Sequence, residues 1–342
     1  MKTKPIGKLF FSMTFEYLNI YLPEQMGYSP KTIRSYCDAL SLFRQFVSEI
    51  LKVSITKFTF SLCSRDCIYS FMAFLKERGN ASSTQNQRLA ALKSYIWFAA
   101  DKDISLQSIA LDAKRIHSFK VKKKKLEVLS HDALTSIFAQ PSNSKMGLRD
   151  RSIMIVLYDS AIRLDELLKL KLLDVQIKDS PYLRINGKGS KERIVPISLK
   201  TASHLQQYIE VFHGKSSPKT DLLFYTFIKG NVGAMSESNV ERFIKKYANK
   251  ARESCEEIPQ VVFPHLIRRT RATDLYQNGV DIELVARLLG HVSIETTRKY
   301  YAKPSLKMLT KAINSVDVPE CEQETPLWED GEKLMAKICG LR

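Results

Sequence analysis

A run of lysines near the middle of the sequence divides the chain into two parts. Between positions 114 and 129, lysines occupy positions 120 and 122–125, and apolar residues show little periodicity. Such a segment cannot bury one face in a core, which is typical of a linker. The chain has 342 residues, more than one typical domain needs. We therefore predict a domain over 1–115, a basic linker over 116–129, a second domain over 130–318 and a tail over 319–342.

The first part has the pattern of an all-helical domain. Ser29 followed by Pro30 is a typical helix start, with the serine as N-cap and the proline at the first helical position. A second capped helix is predicted to begin near Ser82 or Ser83. After the first start, apolar residues recur at helical spacing, at Ile33, Tyr36, Leu40, Phe43 and Val47.

The second part combines helices with a short hairpin. Residues 182–185 and 193–197 have strand character, and Asn186-Gly187 marks a turn between them. Helices are predicted over 130–138 and 148–158, and three short ones follow from position 265 onward. One amphipathic helix is predicted over 326–341. The predicted fold class is mainly α with a small β-sheet or hairpin, in which an all-helical domain precedes an α+β domain.

The charge balance favours a polyanionic partner, because 53 Lys and Arg against 36 Asp and Glu give a net charge of +17. The longest apolar runs, over 95–100 and 153–158, are far shorter than the ~18 residues of a membrane-spanning helix, so nucleic acid is favoured over a membrane. The basic N-terminus lacks a cleavage site for secretion, which predicts a cytoplasmic protein. Six scattered cysteines without zinc-ligand spacing are predicted to be reduced thiols.

Several polar residues of the second part suit chemistry on a phosphodiester, which requires cations, an activated nucleophile and a proton donor. His265 and Arg268 stand three apart at a predicted helix start, where the helix dipole also favours an anion. Arg163 and Glu166 share this spacing, and Lys188 lies between two glycines at the hairpin tip. Each feature also has an ordinary explanation: a solvated basic turn, an intrahelical ion pair and a solvated turn lysine.

The segment that ends at Gly290 leaves a non-enzymatic alternative open. Val285–Gly290 followed by a short polar helix fits a helix-turn-helix, and a DNA-binding regulator needs nothing more. Joint occurrence separates the two interpretations. An arginine at a helix start, a Gly-Lys-Gly hairpin, a His-x-x-Arg helix, a Leu-Gly-His turn and a tyrosine follow one another in order.

This ordered set resembles the tyrosine recombinase/integrase family, with its Xer-like and phage-integrase-like enzymes. The hairpin Gly187–Pro196 is similar to the family hairpin, and the segment from His265 to Tyr300 resembles the C-terminal signature. Ser29–Ile33 and Thr84–Leu89 resemble the family's core-binding domain. The resemblance spans roughly residues 10–312. It implies a SAM-like helical domain followed by the tyrosine-recombinase catalytic domain.

The resemblance implies a recombinase that cuts and rejoins DNA strands through a 3′-phosphotyrosine and a Holliday junction, with neither metal nor ATP. It implies Tyr300 as the nucleophile, His265 as the acceptor of its proton and Lys188 as the proton donor to the leaving 5′ oxygen. The groups implied at the phosphate are Arg163, Arg268 and His291, and Glu166 is expected to orient His265.

Two positions depart from the family pattern, and the nucleophile has a competitor. The family usually has Thr-Gly before its first arginine, where this chain has Ser160-Ala161-Ile162. Arg269 adds a charge directly after Arg268. Tyr301 is the alternative nucleophile, although the spacing from His291 favours Tyr300.

The implied partner is double-stranded DNA with specific recombination sites, bound by a homotetramer and associated with the nucleoid of a prokaryotic cell. DNA contacts are expected at Lys31, Thr32, Asn86, Arg88, Lys122, Lys123 and Lys124. The linker lysines also fit a solvated tether, and the tail fits either docking on a neighbouring protomer or packing on its own domain. A relaxing type IB topoisomerase and a non-catalytic DNA-binding protein are the alternative functions. The sequence leaves open whether the element served is a chromosome, a phage or a transposon.

Overall fold

A computed structural model describes residues 8–121, 127–187, 192–214, 217–228, 230–291, 293–301, 308, 310 and 331–341, without the side chains of Ile228 and Tyr300. The chain separates into two compact units, Met1–Lys124 and Lys125–Arg342. This division falls inside the predicted linker. The linker residues Lys122, Lys123 and Lys124 lie outside the described residues.

The first unit is helical, as its periodicity predicts. A short helix α1 (Thr14–Glu16) continues as a π-helical segment over Tyr17–Gln25. The longer helices are α2 (Pro30–Glu49), α3 (Arg65–Glu77), α4 (Ser82–Lys102) and α5 (Gln107–Lys114). The Ser29 side chain accepts a hydrogen bond from the Thr32 N–H at 3.3 Å, which confirms the predicted start of α2.

Aromatic side chains form much of the core of the first unit. Phe10, Phe43 and Tyr95 are fully buried, and the ring centroid of Phe10 lies 5.2 Å from those of Phe43 and Tyr95. Leu40 and Val47 of the predicted apolar stripe are buried on the same helix as Phe43. Because each buried side chain of this size contributes roughly 1.5–3 kcal/mol, this packing holds α2 and α4 in a fixed frame.

The second unit is an α+β domain, as predicted. It begins with α6 (His131–Ala139), α7 (Lys145–Ser160) and α8 (Leu164–Leu168). An antiparallel sheet follows, with β1 (Val175–Gln176), β2 (Tyr182–Asn186) and β3 (Glu192–Pro196). Next come α9 (Leu199–Phe212), the hairpin of β4 (Tyr225–Ile228) and β5 (Asn231–Ala234), and α10 (Glu237–Ala251). The last helices are α11 (Pro264–Gln277), α12 (Ile282–Leu289), α13 (Ile294–Tyr301) and, in the tail, α14 (Glu332–Ile338).

The hairpin of β2 and β3 lies where the Asn-Gly turn predicts it. Its register pairs Leu183 with Val195 and Ile185 with Arg193. Side chains alternate along a strand, so Arg193 lies on the same face as the buried Val195. Lys188, between these strands, lies outside the described residues.

Helix α7 runs through the core of the second unit, where Ile153, Met154, Val156 and Leu157 are fully buried. Near its end, the Tyr158 hydroxyl donates a hydrogen bond to Asp274 of α11 at 2.7 Å. Arg271 of α11 forms an ion pair with Asp159 at 3.0 Å. These contacts fix α11 against the part of α7 from which the chain turns into α8.

The tail helix is shorter in the described residues than the predicted span 326–341, of which 326–330 lie outside them. Its apolar side chains Leu334, Met335 and Ile338 are exposed. Docking of the tail on a neighbouring protomer stays a prediction. Within the described ranges, no helix has both the length and the apolar character that crossing a membrane requires.

Candidate active site

The turn between α7 and α8 carries Arg163. After Ser160, Ala161 adopts the left-handed backbone conformation, with φ 49° and ψ 27°, which favours glycine. Arg163 is the N-cap of α8, and its backbone N–H donates to Oε2 of Glu166 at 2.9 Å. The turn therefore fixes the backbone of Arg163, while its side chain stays 43% exposed and accessible to a ligand.

The Glu166 carboxylate lies among arginines. Its side chain is 5% exposed, and Nη1 of Arg163 donates to Oε1 at 3.0 Å. Arg193 donates from Nη1 to Oε1 at 3.0 Å and from Nη2 to Oε2 at 2.8 Å. Burial raises the pKa of Glu166, but the hydrogen bonds from Arg193 and Arg163 outweigh it, so the pKa lies below its ordinary value. The expected bond from Glu166 to His265 is not among its bonds in the described residues and stays a prediction.

The start of α11 carries His265 and Arg268, with Pro264 in the first turn. The His265 side chain is exposed, whereas Arg268 is only 2% exposed. Nη2 of Arg268 donates to the Leu289 carbonyl oxygen at 2.7 Å. In the described part of the chain, no acceptor contacts the buried Nε and Nη1 of Arg268. This guanidinium therefore has hydrogen-bonding capacity that a ligand can satisfy.

The turn after α12 carries His291. Gly290 ends the helix in the left-handed conformation, with φ 62° and ψ 41°. Nδ1 of His291 lies 2.8 Å from Oγ1 of Thr297, and Nε2 lies 3.4 Å from Nη2 of Arg268. The turn thus places the imidazole beside the guanidinium of Arg268, with its ring orientation fixed by Thr297.

Positive charges and burial keep both histidines neutral near pH 7. Burial and then the charge of Arg268 lower the pKa of His291 to about 4. Partial loss of hydration, followed by the charges of Arg268, Arg269 and Arg163, lowers the pKa of His265. Burial also lowers the pKa of Arg268 to about 10, which leaves it a cation. A neutral imidazole can accept a proton or donate a hydrogen bond.

Arg163, His265 and Arg268 line one cleft of about 240 Å³. Ile162 and Phe263 form part of its apolar wall. Glu237 and Glu241 of α10 also line it. Two guanidinium groups and an imidazole on the other side of the cleft can bind the oxygens of a phosphate and move a proton. No three His, Cys, Asp or Glu side chains in the described residues are grouped closely enough to hold a metal ion.

The two adjacent tyrosines lie at the end of α13. Tyr301 is 4% exposed, and its ring lies nearly parallel to that of His291, with centroids 6.2 Å apart and an angle of 20°. It packs in a small cluster with Ala161, Val285 and Leu289. These contacts give Tyr301 a packing role, and Tyr300 as nucleophile stays a prediction.

The residues predicted for DNA contact in the first unit lie near the starts of α2 and α4. Asn86 is engaged with the backbone of Phe119: its Nδ2 donates to the carbonyl oxygen at 2.9 Å, and the Phe119 N–H donates to Oδ1 at 2.8 Å. Thr32 belongs to the Ser29 cap, and Arg88 lines a groove beside Asp38 of α2. A role in DNA contact stays a prediction for these residues and for Lys31.

Arg193 is the residue that the sequence did not single out. It contacts Glu166 through two nitrogens and reaches the turn that carries Gly290. Its only sequence signal is its place in the hairpin that resembles the family pattern, on the same strand face as Val195.

Two family models match the chain. The phage integrase family matches residues 127–306, and the phage integrase N-terminal SAM-like domain matches residues 16–103. Tyrosine recombinase XerC of Chlamydia caviae is 29% identical over 298 residues, which cover 82% of this chain and 91% of that protein. Tyrosine recombinase XerA of Pyrococcus horikoshii is 30% identical over 297 residues, which cover 87% of this chain and 91% of that protein.

Solved structures share the fold. The Tn1549 transposon integrase in complex with transposon right end DNA superposes with a TM-score of 0.67 at 15% identity, over 87% of this chain and 98% of that one. The lambda integrase tetramer bound to a Holliday junction gives a TM-score of 0.63 at 17% identity, over 86% of this chain and 78% of that one.

Proposed function

Since the chain belongs to the phage integrase family and is a tyrosine recombinase, we propose that it performs site-specific DNA recombination through a 3′-phosphotyrosine and a Holliday junction. The proposed nucleophile is Tyr300. The proposed phosphate-binding and proton-transferring groups are Arg163, Lys188, His265, Arg268 and His291.

One observation carries the proposal: Arg163, His265 and Arg268 line a single cleft, and Arg268 holds two buried nitrogens without an acceptor in the described residues. A buried guanidinium with unmet N–H groups is unfavourable unless an anion completes its hydrogen bonds. The non-bridging oxygens of a phosphodiester meet this need, because a guanidinium donates two parallel hydrogen bonds to them.

The proposed cleavage step balances atoms and charge. The Tyr300 oxygen attacks phosphorus, and its proton passes to neutral His265. The bond from phosphorus to the 5′ oxygen breaks, and Lys188 protonates that oxygen to leave a 5′ hydroxyl. The new phosphotyrosine retains the energy of the broken ester, so rejoining needs no ATP. The proposed arginine, lysine and histidine side chains take the charge-stabilising and proton-transferring roles that a metal ion could otherwise have. In the reverse direction, a 5′ hydroxyl attacks phosphorus and gives its proton to neutral Lys188. The bond from phosphorus to the Tyr300 oxygen breaks, and His265 returns the proton to that oxygen.

The arginines and His291 act on charge that grows at the phosphate. Two guanidinium groups stabilise the crowded transition state, in which the equatorial oxygens carry more negative charge than in the ground state. The pKa of His291, about 4, keeps its ring neutral, and Thr297 at Nδ1 leaves Nε2 directed to the side of Arg268. We propose that Nε2 donates a hydrogen bond to the phosphate when DNA is bound.

Double-stranded DNA with recombination sites is the proposed partner, and four protomers are the proposed assembly. The net charge of +17 suits a polyanion. The structural relatives include an integrase in complex with transposon DNA and an integrase tetramer bound to a Holliday junction. We propose that Lys31, Thr32, Asn86, Arg88 and the linker lysines 122–124 contribute DNA contacts.

Two alternatives make different predictions. A type IB topoisomerase would relax a supercoiled plasmid that lacks a recombination site, whereas a recombinase would relax it poorly. A DNA-binding protein without catalysis would bind DNA tightly and form no covalent adduct. The family match over residues 127–306 favours recombination over both.

A covalent capture experiment tests the proposal. The full chain is incubated with a library of nicked duplexes of random sequence, and protein-linked strands are isolated and sequenced. We expect adducts with a shared core sequence from the wild type and from Tyr301→Phe, and none from Tyr300→Phe. If Tyr300→Phe still forms adducts and Tyr301→Phe forms none, the nucleophile is Tyr301. No adduct from the wild type, with DNA binding intact, would contradict the proposed reaction.

A further inference from the structure

Three consecutive carbonyl oxygens at the end of α12 each accept a hydrogen bond from a different arginine. Arg193 donates from Nε to Leu288 O at 3.4 Å. Arg268 and Arg163 donate from Nη2 to the next two carbonyls, Leu289 O at 2.7 Å and Gly290 O at 3.2 Å. The last carbonyls of a helix lack N–H partners within it and carry the negative end of the helix dipole. The end of α12 therefore gathers three cations from β3, α11 and the start of α8.

Arg193 differs from the other two arginines in what it contacts. Its side chain is 17% exposed, and both of its terminal nitrogens donate to the two oxygens of Glu166. Unlike Arg163 and Arg268, it does not line the cleft. Arg193 therefore lies behind the cleft and binds both oxygens of the Glu166 carboxylate. Without Arg193, these two oxygens would be free to bind Arg163 together.

Gly290 and Arg193 also fit closely. A Cβ on Gly290 would lie 2.7 Å from Cζ of Arg193 and 2.8 Å from Nη1, so the guanidinium would have to move to make room for it. The guanidinium thus packs directly against the backbone of the turn that leads into His291. Arg193 joins the hairpin of β2 and β3 to this turn and to the start of α8.

We infer that Arg193 is a positioning residue for strand cleavage, which neutralises Glu166 and holds the Leu288–Gly290 turn so that Arg163 and Arg268 remain available to the phosphate. This inference rests on the proposed function. With Arg193 in place, Arg163 gives Glu166 one side-chain N–H and Gly290 another in the described residues. Without it, the buried carboxylate draws Arg163 into a two-point ion pair and away from the cleft.

A double-mutant cycle tests the inference with Arg193→Met, Glu166→Gln and the pair together. The nicked duplex captured by the wild type is the probe, and the readouts are the initial rate of adduct formation, DNA affinity and melting temperature. We expect Arg193→Met to lower the rate of adduct formation about 100-fold, while its DNA affinity stays within about threefold of wild type. This combination indicates loss of an interaction that acts mainly in the transition state. Glu166→Gln should restore at least about tenfold of that rate, because it removes the unpaired charge.

The pH profile supplies a readout that a packing role would not change. In the described residues, the charged groups that face Glu166 are Arg163, Arg193 of β3 and Arg268 of α11. Loss of Arg193 removes the strongest influence that lowers the pKa of Glu166, so the carboxylate takes up a proton at higher pH. The rate of Arg193→Met relative to wild type should therefore rise as pH falls from about 8 to about 6, and Glu166→Gln should abolish this rise.

Controls separate the possible failures. Arg184→Met removes an exposed arginine from β2 and should keep the wild-type rate. If Arg193→Met does not fold, Arg193→Lys replaces it in the test, because lysine keeps the charge but cannot form the paired hydrogen bonds. Glu166→Gln should then restore less of the rate of adduct formation than it does with Arg193→Met. An Arg193→Met rate within threefold of wild type, or absence of rescue in folded variants, overturns the inference. Absence of adduct from the wild type contradicts the proposed function instead, and the melting-temperature cycle then decides whether Arg193 and Glu166 are coupled.

Discussion

Arg269 donates a hydrogen bond from Nη1 to the backbone carbonyl oxygen of Glu127, with 3.2 Å between the two atoms. The next residue, Thr270, accepts a hydrogen bond from the Leu129 N–H at 3.0 Å. The last residues of the predicted linker, Glu127–Leu129, therefore lie along α11, directly beside Arg268. The extra arginine that departs from the family pattern has a structural contact of its own.

We predict that Arg269→Ala loosens residues 127–130 without unfolding the domain. Loss of a hydrogen bond from a charged donor costs about 1.5 kcal/mol, which corresponds to roughly tenfold faster amide exchange. Hydrogen exchange read by mass spectrometry on peptides that contain Glu127 and Leu129 measures this. Arg242→Ala is the matched control, because this exposed arginine of α10 bonds to Asn239 within its own helix. Equal exchange in both variants would contradict the role of Arg269.

Gly290→Ala is predicted to impair the site more than its backbone strain alone explains. Both Gly290 and Gly279 have positive φ, 62° and 87°, but a Cβ at Gly279 meets nothing within 4 Å in the described structure. Gly279→Ala therefore reports the strain, about 1 kcal/mol, and Gly290→Ala reports strain plus collision with Arg193. We expect the free energy of unfolding to fall by about 1–3 kcal/mol more in Gly290→Ala, because the Arg193 guanidinium can move aside only by loosening its bonds to Glu166.

Chemical denaturation of the two glycine variants checks this difference, and adduct formation checks its consequence. Gly290→Ala should also slow covalent capture, whereas Gly279→Ala should not. Combining Gly290→Ala with Arg193→Met should remove most of the excess cost, since the colliding guanidinium is gone. Equal losses for the two alanine variants would mean that Arg193 does not pack against the turn.

The histidine beside Arg268 gives stability a pH dependence of known sign. The folded pKa of His291, about 4, lies below its ordinary value of 6.5, so the unfolded chain binds the proton first as pH falls. The contribution of neutral His291 is fully present above pH 6.5 and is lost between pH 6.5 and pH 4. Urea unfolding of wild type and His291→Gln across this range should show the wild type losing stability more steeply. Parallel curves would contradict the lowered pKa.

Local signals in the sequence were sufficient for the helices that begin near Ser29 and Ser82 and for the main hairpin, whereas α3, α5, α9 and α10 were not predicted. The Ser29-Pro30 start, the apolar stripe of α2 and the Asn186-Gly187 turn each depend on residues close together in the chain. The hairpin of β4 and β5 was not predicted, because strands of four residues are too short to show an alternating pattern.

The predicted cleft residues were recognised as an ordered set, but their partners were not. A charged residue in a strand normally faces solvent, and the inward position of Arg193 depends on Glu166, 27 positions earlier. Asn86 shows the same limit. In the sequence, a helix amide can be interpreted equally well as a contact to a DNA base or as a partner of a distant backbone group. In the structure, Asn86 bonds to the backbone of Phe119, 33 positions away.

Ala161 allows a prediction in which opposing effects nearly cancel. In Ala161→Gly, relief of the left-handed conformation, with φ 49°, stabilises by about 1–2 kcal/mol. Against this, the greater freedom of glycine in the unfolded chain costs about 0.4–1 kcal/mol, and loss of a methyl group packed near Val285 and Leu289 costs about 0.8 kcal/mol. The free energy of unfolding should therefore change by less than about 1 kcal/mol.

Ala161→Val, which adds a branched side chain to the strained and fully packed position, should cost at least about 2 kcal/mol. Thermal and urea unfolding of the two variants measure both values, and a large stabilisation by glycine would mean that the Ala161 methyl contributes nothing to the packing around Tyr301.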